Sequence, residues 1–263
     1  MTALLVVTVA ALAVSALTLF SGFGLGTLLM PVFALFFPIE VAIAATAVVH
    51  GANNVLKVAL FGRRADWAVV ARFGIPAVLF AFLGAGALAL LSGAEPLLRY
   101  ELAGRAAQVT PIKLVLAALM IAFALAELLP RLRALKFGRR WLALGGVLSG
   151  FFGGISGHQG ALRSAFLAKI GLSTEAFVAT NAINGFLVDA ARLAVYGALF
   201  YGSSVASVGA HGGWELVGAG TAAAFTGVLV GSRAVKKITM DSIQTLTGVL
   251  LLVIAVGLGS GLI

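Results

Sequence analysis

Cysteine is absent from the 263 residues, which excludes disulfides, thiolate nucleophiles and Cys-based metal sites. Charge is scarce as well. Charged residues make up 10% of the chain, against about a quarter in an ordinary soluble domain. The three histidines are scattered, with no HExxH and no His/carboxylate cluster at ligand spacing, so no metal centre is expected. The glycine-rich "GFGLG" at Gly22–Gly26 lacks the Gly-Lys-Ser/Thr that completes a phosphate-binding loop, and no soluble domain is visible to hold ATP. The chain is therefore expected to be neither an enzyme nor a cofactor protein. Any energy source must be an ion gradient, the membrane potential or the substrate gradient. His50 or His158 is suited to carry a coupling proton, because imidazole titrates near neutral pH.

What is abundant is apolar surface, at 61% of residues. Nearly uncharged runs recur at Met1–Phe37, Val69–Gly93, Leu114–Ala126, Val195–Ala210 and Ile243–Ile263, and runs of this kind read as membrane spans. The net charge of +9 does not point to nucleic acid, because 11 of the 18 basic residues fall in short breaks between apolar runs. These breaks are Arg63/Arg64, Arg131–Arg140, Lys169 and Arg233–Lys237, the positive-inside pattern of a polytopic protein in a lipid bilayer. No Lys or Arg precedes Lys57, so the charged start of a cleaved signal peptide is missing and the first segment is expected to stay in the membrane.

The sequence repeats itself. "SGFGLG" (Ser21–Gly26) resembles "SGFFGG" (Ser149–Gly154), and "AIAATAVVHG" (Ala42–Gly51) matches "AFVATNAING" (Ala176–Gly185). "KVALFG" (Lys57–Gly62) parallels "RLAVYG" (Arg192–Gly197), and Trp67 and Trp214 each precede a glycine, Gly84 and Gly231, by 17 residues. Four matches in one order indicate a duplicated unit: Met1–Pro130 and Arg139–Ile263, joined by a basic linker, Arg131–Gly138. Each half reads as a Gly-broken segment and three spans. The spans lie near Val41–Gly62, Val69–Leu91 and Ile112–Leu129, then near Thr174–Phe200, Trp214–Val230 and Ser242–Leu262.

Charge then sets the threading. If each broken segment enters and leaves on one side, all 11 loop cations share the cytoplasmic face; if it crosses once, they split about evenly. Arg140–Gly171 spans 32 residues, about 48 Å at helical rise, whereas two full crossings need about 60 Å. A hairpin or a pair of short helices meeting deep in the membrane fits this length. The expected fold is an all-α polytopic membrane protein of two inverted-topology repeats, the architecture of many secondary transporters. Both termini are expected in the periplasm and the linker in the cytoplasm.

The run "SGFGLGTLLMPVFALFFP", the following "AIAATAVVHGANN", the basic turn before "DWAVV" and the degenerate second copy together resemble the sulfite exporter TauE/SafE family. The resemblance covers nearly the whole chain. It implies a bacterial inner-membrane transporter, with sulfite, sulfoacetate and related sulfur-containing anions as the substrate class. The second copy, "SGFFGGISGHQGALRSAFLAKIGL", departs from the first by lacking its Pro and adding His158, Gln159 and Arg163. The expected function is secondary transport, outward on the strength of the resemblance, of a small sulfur-containing anion by alternating access. The alternative is a channel or gated pore for a small solute on the same scaffold; a membrane enzyme or scaffold lacks any visible catalytic set.

Irregular glycine-rich backbone survives in lipid only when buried in protein or lining a wet cavity. Breaks near Gly22–Gly26 and Gly150–Gly160, with helices restarting at Thr27 and Gly160, would present free N–H groups to an anion. The candidate binding residues at the breaks are Gly24, Gly26, Thr27, Gly154, His158, Gln159 and Gly160. The competing reading is that the glycines allow close helix packing. Arg163 lies six residues before Lys169, about 9 Å deeper at helical rise. It either faces the bundle interior or snorkels to the interface, and the sequence leaves both open. Thr46 and His50 in one half, and Thr180 and Asn184 in the other, stand one helical turn apart, with Asn53, Asn54 and Asn181 extending the polar face. Asp189 and Arg192, three apart, are expected to neutralise each other, Lys57 to snorkel, and Glu40, Glu127 and Glu175 to be solvated near span ends.

Overall fold

The architecture comes from a computed structural model of the chain. The structure describes residues 1–19, 22, 24–102, 104–135, 137–168, 170–210, 213–234 and 240–262. Ser21, Phe23, Lys169, Lys236 and Lys237, on which part of the sequence reading rests, lie outside the described residues.

The chain is built of helices: α1 (Thr2–Thr18), α2 (Leu25–Ala34), α3 (Ile39–Phe61), α4 (Trp67–Ser92), α5 (Pro111–Leu128), a single turn α6 (Pro130–Arg133), α7 (Leu142–Ser156), α8 (Gly160–Leu167), α9 (Thr174–Ala210), α10 (Gly213–Ala234) and α11 (Met240–Gly259). Among the described residues, four stretches are long and apolar enough to cross a bilayer: Ile39–Arg64, Trp67–Ser92, Pro111–Leu128 and Gly213–Arg233. Shorter apolar helices, α1 and α2 among them, complete the bundle. The outer surface carries exposed Ile75, Leu79, Phe82, Leu83 and Leu90 on α4 and Val253 and Val256 on α11. An apolar patch of this extent would drive a soluble protein to aggregate; on a multi-pass membrane protein it is the wall that meets the lipid chains.

Local chemistry sets the ends of the helices. Asp66 caps α4 by accepting a hydrogen bond from the Val69 N–H at 3.1 Å, which satisfies one of the orphan donors of a helix start. Thr110 caps α5 in the same way, with Pro111 at the first helical position, where the missing N–H costs nothing. Gly157 ends α7 in the left-handed region, at φ 79°, a conformation that glycine reaches without the steric penalty of a Cβ.

The helical fold class carries one small addition. Leu98–Leu102 (β1) and Arg105–Val109 (β2) form an antiparallel hairpin between α4 and α5, with Leu98 opposite Val109 and Leu102 opposite Arg105. Gln108 donates to the Gly261 carbonyl at 3.1 Å and Tyr100 to the Ser260 carbonyl at 2.5 Å, so the hairpin is tied to the end of α11. At the other end of α4, Arg64 pairs with Glu175, and Arg139 reaches Asp66 at 3.5 Å and the Ile170 carbonyl at 3.1 Å. These contacts lie on the linker's side of the bundle.

Helix pairing places the site. α4 packs on α7, α1 on α10, α3 on α9 and α5 on α11. The α4–α7 seam shows why α7 is so rich in glycine. A Cβ on Gly146, Gly150 or Gly154 would stand 2.2, 2.1 and 2.3 Å from the carbonyls of Phe73, Ala77 and Ala81. The glycines recur every four residues and so do the carbonyls, which lets the two backbones touch along a ridge. On the other side of the bundle, Gly227 and Gly231 of α10 lie against the backbone of Leu12 and Ala16. The second break is therefore shorter than the sequence suggested: Gly150–Ser156 is helical, and the unwound stretch is Gly157–Gln159.

Candidate functional site

Two helix interruptions face each other inside the bundle. The first lies between α1 and α2 and carries Gly22 and Gly24 at positive φ; the second lies between α7 and α8. A Cβ on Gly26 would stand 3.5 Å from the Gly157 carbonyl and 3.5 Å from the ring of His50. The breaks and the polar face of α3 thus converge. α3 and α9 come close because Gly51 sits against Asp189 and Gly185 against Asn54 and Arg163.

Around this point is a buried polar network, and Asp189 is its hub. Its Oδ2 accepts from His50 Nδ1 at 2.6 Å, and its Oδ1 accepts from Gln159 Nε2 at 2.9 Å and from Arg192 Nη2 at 2.8 Å. With Nδ1 of His50 donating to the carboxylate, the Asn54 amide, 3.4 Å from Oδ2, serves Asp189 rather than the ring. Gln159 carries the network on. Its Oε1 accepts from Arg163 Nη1 at 2.7 Å, and Arg163 Nε donates to Asn181 Oδ1 at 2.6 Å. Asn181 in turn donates to the Gly22 carbonyl at 2.7 Å, so one chain of hydrogen bonds runs from the second break to the first.

Charge is not balanced along this chain. Asp189 pairs with Arg192 and His50. Arg163 is 1% exposed and forms no ion pair among the described residues; its hydrogen bonds go to the neutral Gln159 and Asn181. Lys57, also buried, forms none either. A buried cation in a membrane normally faces a partner, a cavity or a substrate, and leaving one uncompensated is strongly unfavourable. The snorkelling reading of Arg163 is excluded by its burial and its two inward partners. Lys57, expected to snorkel, lies inside the bundle as well.

A second polar patch adjoins the first. A crevice lined by Thr27, Phe123, Glu127, His158, Ala161, Thr247 and Leu251 lies between α2, α5, the start of α8 and α11. It leaves essentially no room for a water molecule, so the bundle is closed here. Glu127 was expected in solvent beside Pro130, yet it is 4% exposed: α11 packs on α5 and covers the last turn. His158 stacks on Phe123 at 5.6 Å between ring centres, with the planes 9° apart.

The structure brings together His50, Gln159, Arg163 and Asn181 in one network, with Gly26 at its edge. Thr27 and His158 border the crevice. Gly160 opens α8, and its position as first helical residue leaves its N–H free of any intrahelical partner. The others point elsewhere. Thr46 bonds the Ala42 carbonyl of its own helix and Asn184 the Thr180 carbonyl. Thr180 accepts from the Asp66 N–H at 3.0 Å, tying α9 to the start of α4. Asn53 accepts from Ser15 at 3.3 Å, Gly154 is part of the α4–α7 seam, and Gly24 fits against Thr18. Sequence reasoning left Asp189, Arg192 and Glu127 out of the site and named Asn54 only as part of the polar face of α3. The available signal was their ionisable or polar character inside apolar runs; reading Asp189 and Arg192 as a closed pair hid the two further donors that the carboxylate accepts.

The family model described as sulfite exporter TauE/SafE matches residues 7–258. Comparison with curated proteins and with solved structures returns no match.

Proposed function

Since the chain belongs to the sulfite exporter TauE/SafE family, a family of membrane transporters, we propose that it is a secondary transporter of a small sulfur-containing anion, sulfite or an organosulfonate. It moves the anion outward across a bacterial inner membrane by alternating access. The observation that carries the anion reading is Arg163: a fully buried guanidinium, at the junction of two helix breaks, hydrogen-bonded among the described residues to neutral partners. Planar guanidinium matches the oxygens of sulfite or a sulfonate in a bidentate fork. Gln159, Asn181, His50 and the N–H groups at the start of α8 surround it. Anion binding would compensate a charge that has no ion pair among the described residues.

Alternating access needs two halves that can rock against each other. The proposed units are 1–130 and 139–263, joined by the cytoplasmic linker 131–138, in inverted topology with both termini periplasmic. Helix pairing supports this division. If α1–α5 of the first half are matched in order to α7–α11 of the second, the pair α1/α10 exchanges with α7/α4, while α3/α9 and α5/α11 map onto themselves. The sequence-matched glycines Gly84 and Gly231 behave alike, each lying against the backbone of the partner half's first helix, α7 for Gly84 and α1 for Gly231. The collapsed crevice fits a closed conformation that must open for substrate.

Counterflow in proteoliposomes loaded with unlabelled sulfite tests the reading. A transporter accumulates labelled sulfite transiently and saturates with concentration. Flux that rises linearly, with no overshoot, identifies a pore instead.

A further inference from the structure

His158 stands on the turn between α7 and α8 in a setting that fixes its protons. Ser156 Oγ donates its one hydrogen to the Phe152 carbonyl at 2.8 Å, so toward its other neighbours it can only accept. The nitrogen facing it, His158 Nδ1 at 3.1 Å, must therefore carry a proton. In the neutral ring this leaves Nε2 as a bare acceptor, and Nε2 is buried with no hydrogen-bond partner among the described residues. Stacking on Phe123 holds the ring flat. His158 lines the crevice, and Ser156, which holds its Nδ1, does not. Glu127 stands on the same crevice, one helical turn from Phe123 on α5.

We propose that His158 Nε2 and Glu127 form a proton-binding site that couples proton movement to anion transport, separate from the Asp189–Arg163 network. This rests on the transporter reading above. The step is simple: a proton from water forms an N–H bond at Nε2, the ring becomes imidazolium, and hydroxide is left in solution. Glu127 supplies the counter-charge across the crevice, and Thr27 and Thr247 supply oxygens. The other ionisable groups near the ring come from α9: Arg192, whose guanidinium lies against Gly157, with Asp189 bonded to it and Tyr196 bonded to the Gly154 carbonyl. Among the described residues, α2, α8 and α11 contribute no titratable side chain to the crevice.

Coupling follows from position. His158 is the neighbour of Gln159, which bridges Asp189 and Arg163. A positive charge gained at His158 raises the potential at the anion site, and by linkage a bound anion raises the proton affinity of His158 by the same factor. Proton and anion then bind together. Net flux follows the sum of their gradients, and it is outward where the anion's own gradient and the membrane potential outweigh the inward proton gradient.

The test uses the whole protein in proteoliposomes with labelled sulfite, an internal pH dye and equal sodium on both sides. The wild type should show counterflow at equal pH, and an acid-outside gradient should drive accumulation with proton entry. Glu127→Gln should keep counterflow and lose gradient-driven accumulation by about tenfold, the scale of a typical coupling energy. Sulfite's own protonation is common to both proteins, so the difference between them decides. If Glu127→Gln accumulates like the wild type, or if only a sodium gradient drives accumulation, the proposal is overturned while the transporter reading stands. Absence of wild-type counterflow removes that reading and the proposal with it. Nitrogen NMR of labelled histidine in the wild type needs no variant. It should find the neutral His158 ring protonated at Nδ1, with Nε2 gaining a proton when sulfite is added at constant pH. An Nε2–H ring in the neutral state, or no change on adding sulfite, overturns the assignment.

Discussion

Replacing Arg163 with alanine removes two inward hydrogen bonds, to Gln159 Oε1 at 2.7 Å and Asn181 Oδ1 at 2.6 Å, together with the guanidinium that would face the anion. Two effects follow, and they are separable. Each stranded acceptor is buried, at 1% exposure for Gln159 and 5% for Asn181, and leaving such a group unsatisfied costs about 1–3 kcal/mol. Thermal stability and yield should therefore drop. In the protein that remains folded, losing a charge-assisted hydrogen bond to the anion costs about 1.5–3 kcal/mol, roughly ten- to a hundredfold in sulfite affinity. Arg163→Lys restores a point charge but not the fork, and should recover part of the affinity. Calorimetric titration of monodisperse protein with sulfite measures the second effect, and a thermal unfolding scan the first. Arg163→Ala protein that melts lower yet binds sulfite like the parent would show that the guanidinium only braces the two helix breaks, and the anion assignment would fall.

Asp189→Ala should be more damaging, at about 3–5 kcal/mol, because it strands Arg192 as an uncompensated buried charge; adding Arg192→Met should recover much of that loss, and unchanged stability in the single variant would refute the hub assignment. Gly150→Leu should prevent folding, since even a Cβ there would stand 2.1 Å from the Ala77 carbonyl, while Gly86→Ala, with open space at its Cβ position, should melt like the parent. Thr180→Val should lower stability by about 1 kcal/mol through loss of the Asp66 N–H acceptor, with sulfite affinity unchanged. Single cysteines placed in this Cys-free chain should label from the cytoplasmic side near Arg131–Arg140 and near Lys237, and from the periplasmic side at both termini; labelling near Lys237 only from outside would remove the inverted arrangement.

Much of this was legible in the sequence because it rests on one-dimensional physics. Lipid selects long uncharged runs, so 61% apolar residues and their grouping determined a multi-pass membrane chain before any contact was known. Order and spacing carried the family resemblance, and they are the basis of the proposed duplication. Glycine clusters marked where helices would break, and Arg163 stood out because a cation inside an apolar run is costly wherever it points. Tertiary structure alone decided where each side chain pointed. Gly150 and Gly154 look like part of a break, but they became a packing ridge once the carbonyls of Ala77 and Ala81 were placed against them. Glu127 reads as a span end until α11 covers it. Asp189 and Arg192 look like a closed local pair, and their place at the centre of the network depends on His50 and Gln159, 139 and 30 residues away in sequence. Propensity and hydropathy act along the chain and can be summed from the residues themselves. Hydrogen bonds and charge compensation act across it, between groups that only the packing of helices brings within 3 Å, and so the fold class belonged to the sequence while the site belonged to the fold.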